Sequence, residues 1–123
     1  MKFTGICLIT KNVPLLTDFY TKVLGVRAVG DDTHIELITY GASITIFSVD
    51  GMERMAPQSM KRAGYGSFTI GFEVKDVDRE YERLKGLEVV FVKLPESYPW
   101  GTRSLWFRDP DGNINNFYTV LAR

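Results

Sequence analysis

The chain has 123 residues, a length that suits one globular domain with a shared core better than two independent ones, and its 15 basic residues balance 15 acidic ones. Zero net charge, with no basic stripe interleaved with aromatics, argues against a nucleic-acid partner. No apolar run approaches the roughly 20 residues that span a bilayer, and the opening Met1-Lys2-Phe3-Thr4-Gly5 does not read as a secretory signal, so the expectation is a cytoplasmic protein with no membrane partner.

In chain order, Ile6 to Thr10 is β-branched and apolar and predicts a mostly buried strand. Its Cys7 is the single cysteine, with no internal disulfide open to it, and the strand context predicts a buried small thiol. Asn12 then caps a helix with Pro14 in its first turn and Gly25 as a left-handed stop. Leu16, Phe19, Tyr20 and Val23 recur at helical spacing as a core face. Strands follow near Arg27 to Val29, Thr33 to Thr39 and Ser43 to Ser48, separated by Gly30-Asp31-Asp32 and Tyr40-Gly41 turns. The first module, about 1–48, is therefore β-α-β-β-β.

Residues 49–66 show no strand alternation and predict a connector with one short helix, whose Met52, Met55 and Met60 either pack as a lid or face a ligand. The second module, 67–123, repeats the first. A strand spans Phe68 to Val74, and Asp76 caps a helix with Val77, Tyr81 and Leu84 on one face. Strands near Glu88 to Val92, Arg103 to Phe107 and Asn113 to Val120 follow, with Lys93 to Gly101 as a long loop. Asn12-Val13 before Val23-Leu24-Gly25 is thus echoed by Asp76-Val77 before Leu84-Lys85-Gly86. The fold class expected is α+β, one domain of two similar modules.

The repeat, the run Phe19-Tyr20 with Val23-Leu24-Gly25, and the segment Phe107-Arg108-Asp109-Pro110-Asp111-Gly112-Asn113 before the last strand resemble the vicinal oxygen chelate superfamily. That superfamily includes glyoxalase I, extradiol dioxygenases, fosfomycin-inactivating enzymes and bleomycin-resistance proteins. The resemblance covers nearly the whole chain and implies paired βαβββ modules that curve into an open, cupped β-barrel with helices outside. Enzymes of the superfamily hold a divalent metal with one ligand from each of four strands. Carried onto this chain, those positions fall on Gly5, Thr45, Thr69 and Asn116. Two hydroxyls, one amide and one missing side chain offer no imidazole or carboxylate, so no metal and no cofactor is expected.

Small residues at those places leave room for a ligand. Strand alternation turns Cys7, Phe47, Thr69, Glu73, Asn116 and Tyr118 toward the same interior, together with Gly5, Ile9, Thr45 and Gly71. Glu73 lies in an otherwise apolar strand and is a candidate base or cation anchor, with an arginine partner as the structural alternative. His34 and Glu36, two apart on a strand, are either an acid/base pair or a solvated face. Tyr118 is a further candidate for proton transfer.

Tyr98-Pro99-Trp100-Gly101-Thr102-Arg103 resembles the Pro-Trp-Gly-x-Arg segment of bleomycin-resistance proteins. Trp100 and Tyr98 are candidates to stack on a flat ligand, or Trp100 plugs the barrel end or a subunit contact. Arg103 is expected to pair with a carboxylate such as Glu73 or Asp109. Trp106, with Phe117 on the adjacent strand, is expected in the core under the helices. The resemblance thus implies a metal-independent small-molecule-binding protein that sequesters its ligand and works as a homodimer. The alternative is a glyoxalase-like lyase, isomerase or dioxygenase with a divergent site.

Overall fold

The computed structural model describes residues 1–121; Ala122 and Arg123, the end of the second expected module, lie outside the described residues. Strand β1 (Gly5–Thr10) leads into a turn at Asn12, whose Oδ1 accepts from the Leu15 N–H at 3.1 Å. This gives a partner to one of the free first-turn donors of helix α1 (Val13–Leu24). Gly25, at φ 65° and ψ 36°, stops the helix in the left-handed region where a Cβ is unfavourable. Strands β2 (Ala28–Gly30), β3 (His34–Leu37) and β4 (Ser43–Ser48) follow as antiparallel neighbours, and β4 returns in parallel beside β1. The sheet order is β1-β4-β3-β2.

Alternation then decides the faces of this sheet. Ile35, Leu37, Ile44 and Ile46 are buried on the face that α1 covers, and Leu16, Tyr20 and Val23 of α1 are buried with them. Each such side chain contributes about 1.5–3 kcal/mol by leaving water. The opposite face carries Cys7, Thr45 and Glu36 in one cross-strand row and Ile9, Phe47 and His34 in the next. Cys7 is therefore exposed rather than buried, because β1 turns it away from the helix.

Ser48 caps the short helix α2 (Val49–Met55), its Oγ accepting from the Gly51 N–H at 2.9 Å. The Glu53 carboxylate accepts from the backbone N–H groups of Gln58 and Met60 and pins the chain that follows. Met52 and Met60 are half-buried and Met55 is exposed.

By Cα proximity the chain divides into two compact units, Met1–Ala63 and Gly64 onward. The second repeats the topology of the first. It contains β5 (Thr69–Glu73), α3 (Val77–Gly86), β6 (Val90–Ser97), β7 (Thr102–Arg108) and β8 (Ile114–Val120). Its order is β5-β8-β7-β6, with β5 parallel to β8. Asp76 Oδ1 caps α3 by accepting from Arg79 N–H, and Thr119 Oγ1 docks the helix start by accepting from Val77 N–H while donating to the Val74 carbonyl. Val77 and Leu84 of α3 are buried, as are Leu105, Phe107 and Phe117, the last two rings meeting edge-on at 4.9 Å.

The expected α+β class of paired βαβββ modules is present, and each module forms an open sheet with two edge strands; neither sheet closes into a barrel. No helix among the described residues is long and apolar enough to cross a membrane. One element departs from expectation. β6 runs through Lys93, Leu94 and Pro95 to Ser97, where the sequence suggests a loop. It does so as an edge strand with register shifts after Phe91 and after Lys93, a setting that tolerates a proline without losing a ladder bond.

Candidate ligand cleft of the second module

The turn that joins β7 to β8 is built by one buried carboxylate. Asp109 Oδ1 accepts from the backbone N–H groups of Asp111 and Asn113, and Oδ2 accepts from Asn113 Nδ2 at 2.9 Å. Gly112, at φ 96°, supplies the left-handed step. This fixes the register of β7 against β8, which pairs Trp106 with Asn116 and Ser104 with Tyr118. All four side chains share the sheet face away from α3.

On that face lies a cleft of about 410 Å³, floored by Ser104, Trp106, Asn116 and Tyr118 and completed by Lys93, Tyr98, Trp100 and Thr102. The expected site residues Trp100, Asn116 and Tyr118 are brought together here. Thr69 and Glu73 lie on the same sheet, on the edge strand β5, but do not line the cleft. Both are exposed. Cys7 and Phe47, with His34 and Glu36, belong to the exposed sheet face of the first unit. There His34 meets Phe47 edge-on at 5.6 Å, and Ser43 Oγ donates to Glu36 Oε2 at 3.4 Å.

The rim is a tight turn. Gly101 N–H donates to the Tyr98 carbonyl and Tyr98 N–H to the Thr102 carbonyl, with Gly101 at φ 93°. That turn holds Tyr98 and Trp100 in a parallel stack, centroids 4.7 Å apart and planes 6° apart. Trp100 is 73% exposed and so is not part of the core of its own unit.

Three assignments from the sequence are corrected. Trp106 is not core under the helix; Phe117 is, while Trp106 lies on the opposite face of the same sheet. Arg103 pairs with neither Glu73 nor Asp109. Its Nε and Nη2 donate to the two carboxylate oxygens of Asp78 in the first turn of α3, each at 2.9 Å, and this contact lowers the Asp78 pKa below its ordinary value. Lys93 is a strand residue of the cleft rather than part of a loop. Its Nζ donates to the Ser104 carbonyl at 2.7 Å and to Ser104 Oγ at 2.9 Å, and sits 4.7 Å from the Tyr98 ring centroid and 5.6 Å from that of Trp106.

Among the described residues, two of the cleft carry buried polar atoms with no hydrogen-bond partner: Trp106 Nε1 and Asn116 Oδ1. Leaving such a group unsatisfied costs about 1–3 kcal/mol.

The four positions carried over as metal ligands are Gly5 and Thr45 in the first unit and Thr69 and Asn116 in the second. Gly5 stands at φ 152°, and a Cβ there would collide with the Ser43 carbonyl oxygen. No three His, Cys, Asp or Glu side chains gather among the described residues. This donor set does not fit chelation of a divalent cation. A second cleft of about 430 Å³ lies beside α1 in the first unit, and its Asp18 and Asp31 are engaged by Lys22 and by the Thr33 and His34 N–H groups.

Two βαβββ units of identical strand order, with an Asp-Pro-Asp-Gly-Asn turn before the last strand and an aromatic-rimmed cleft, point to the class of protein. The chain belongs to the Glyoxalase/Bleomycin resistance protein/Dioxygenase superfamily, whose family model matches residues 2–117. It is similar to the uncharacterized protein YraH of Bacillus subtilis (strain 168), 27% identical over 128 residues that cover 98% of this chain and all of that one. Among solved structures it resembles a glyoxalase/bleomycin resistance protein/dioxygenase family enzyme from Burkholderia phytofirmans PsJN. That match has a TM-score of 0.87 at 17% identity, covering 98% of this chain and 100% of the other. A glyoxalase/bleomycin resistance protein/dioxygenase from Nocardioides matches with a TM-score of 0.83 at 21% identity, covering 98% and 84%. At these identities the two structures speak to the fold alone.

Proposed function

We propose that this chain is a cytoplasmic, metal-independent small-molecule-binding protein that holds a flat aromatic ligand in the cleft of its second module. The observation that carries this reading is the parallel Tyr98–Trp100 stack, held by a glycine turn at the cleft rim and left 73% exposed at Trp100. An exposed indole on a braced loop offers large contact area at small entropic cost, and a third ring placed on it extends the stack. The cleft volume of about 410 Å³ suits a small molecule, and its lining mixes aromatic walls with a few polar groups, the pattern of ligand sites. Binding by stacking needs no Lewis acid, in keeping with neutral side chains at the carried-over metal positions.

The test is a titration with 2-naphthylmethanol, followed by indole fluorescence and by calorimetry, on the wild-type protein and on Trp100→Ala. The variant is expected to keep its melting temperature and to lose about tenfold or more in affinity, roughly 1.4 kcal/mol. An unchanged affinity in a folded Trp100→Ala protein sinks the reading.

A further inference from the structure

We infer that the cleft selects an aromatic anion, a planar ring system carrying a carboxylate or comparable acidic group, and that Lys93 is the selecting residue. This rests on the cleft reading above and sharpens it.

Phe91 pairs with Phe107 and Lys93 pairs with Trp106, so two steps on β6 match one step on β7. An unbulged strand would set Val92 opposite Trp106 and turn Lys93 to the helix side of the sheet. The bulge therefore brings a cation into a cleft that strand alternation alone would have lined with valine.

The cation's surroundings then fix its preference. Lys22, Arg83, Lys85 and Arg103 each face a carboxylate, from Asp18, Glu80, Glu82 and Asp78. Among the described residues Lys93 faces none, and no Asp or Glu lines the cleft. Two of its three N–H donors go to Ser104, and two ring faces at 4.7 and 5.6 Å supply the remaining attraction. Ring quadrupoles and one carbonyl offset only part of what a half-buried ammonium loses on leaving water. An anionic group on the occupant, seated beside Lys93 while its ring lies on the Trp100 stack, supplies both the missing charge and an acceptor for the third N–H. A cationic occupant meets like charge at the same place. The preference is thus opposite to that expected had Glu73 lined the site.

The test uses three probes of one shape, 2-naphthoate, 2-naphthylmethanol and 2-naphthylmethylammonium, titrated at neutral pH into the full chain and into Lys93→Met. The naphthoate is expected to bind about tenfold or more tighter than the ammonium. In Lys93→Met the ratio of naphthoate to ammonium affinity is expected to collapse toward one. An ammonium that binds as well as the naphthoate overturns the inference, as does an anion preference that survives Lys93→Met. A Lys93 that only staples β6 to β7 gives that second outcome. If all three probes fail to bind, the cleft reading itself falls; if they bind without regard to charge, only the role of Lys93 falls. Should the Met variant not fold, the ranking on wild-type protein decides, and Lys93→Gln repeats the variant arm.

Discussion

Gly5 lies directly against Ser43 across the parallel β1–β4 pair, so close that a Cβ at residue 5 would overlap the Ser43 carbonyl oxygen and crowd its carbonyl carbon and amide nitrogen. The contact is backbone against backbone, which no rotamer change relieves. The same clash leaves no room for a side chain at residue 5. Gly5→Ala is expected to lower unfolding free energy by at least about 2 kcal/mol, from the clash together with the positive φ. Urea denaturation measures this. Gly5→His is expected to be no better tolerated and to recruit no metal.

Metal uptake is a separate measurement on the unaltered chain. After incubation with zinc, nickel, manganese or iron(II) and desalting, bound metal is expected well below one ion per chain by elemental analysis, because threonine hydroxyls and an asparagine amide are weak neutral donors. A stoichiometric ion would reverse the ligand placement and favour the enzymatic alternative.

The Asp109 turn yields a stability prediction. Its carboxylate accepts from the Asp111 and Asn113 N–H groups and from Asn113 Nδ2 in a buried setting, and truncation removes that acceptor from all three. Asp109→Ala is expected to cost roughly 2–4 kcal/mol, and Asp109→Asn less, since the amide keeps one acceptor oxygen. Equal losses for the two variants would show that charge, and not the number of acceptors, holds the turn.

Much of this architecture is legible in residues whose effects are local. Asn12 and Asp76 announce helix starts because a cap acts within three residues, and Gly25 announces a stop for the same reason. Trp100, Asn116 and Tyr118 reach one cleft by a motif and by simple alternation along β8. What stayed hidden depends on pairing between distant segments. Lys93 is placed by a bulge that changes the parity of β6, and Pro95 reads as a strand break until the strand is known to be an edge. Trp106 has apolar neighbours on both sides, which hides its face, and the register sets it beside Asn116. The alternation of Ser104 and Trp106 against Leu105 and Phe107 is the one signal that could have found it. Cys7 is exposed because the covering helix packs on the other face of β1, and the Arg103 partner lies 25 residues away on α3.

That Arg103–Asp78 pair gives a pH dependence. The guanidinium hydrogen bonds hold the Asp78 carboxyl below its ordinary 3.8, so the charged form is favoured in the folded state. A depressed folded pKa contributes stability that is complete above the unfolded value and disappears as pH falls through the folded value. The difference in melting temperature between wild type and Asp78→Asn is therefore expected to be constant at neutral and mildly acid pH and to close below pH 3.8. Asp78 is exposed and Arg103 half-buried, so the gap should also be small and shrink with salt. A gap that widens on acidification contradicts the pairing.

Two buried threonine hydroxyls predict opposite responses to the same substitution. Thr10 is fully buried, and its Oγ1 accepts from the Asn12 N–H at 3.1 Å, helping to set the entry to α1. Thr17, in the middle of that helix, buries an Oγ1 with no hydrogen-bond partner among the described residues. Valine matches threonine closely in shape and differs little in helix propensity, so the exchange at residue 17 mainly removes an unsatisfied polar atom. Thr17→Val is expected to stabilise the fold by about 1 kcal/mol, whereas Thr10→Val is expected to cost about the same through the lost acceptor. Thermal melts of the two single variants and of the double variant check both signs. A destabilised Thr17→Val protein would mean that the hydroxyl does work that the packing around α1 conceals.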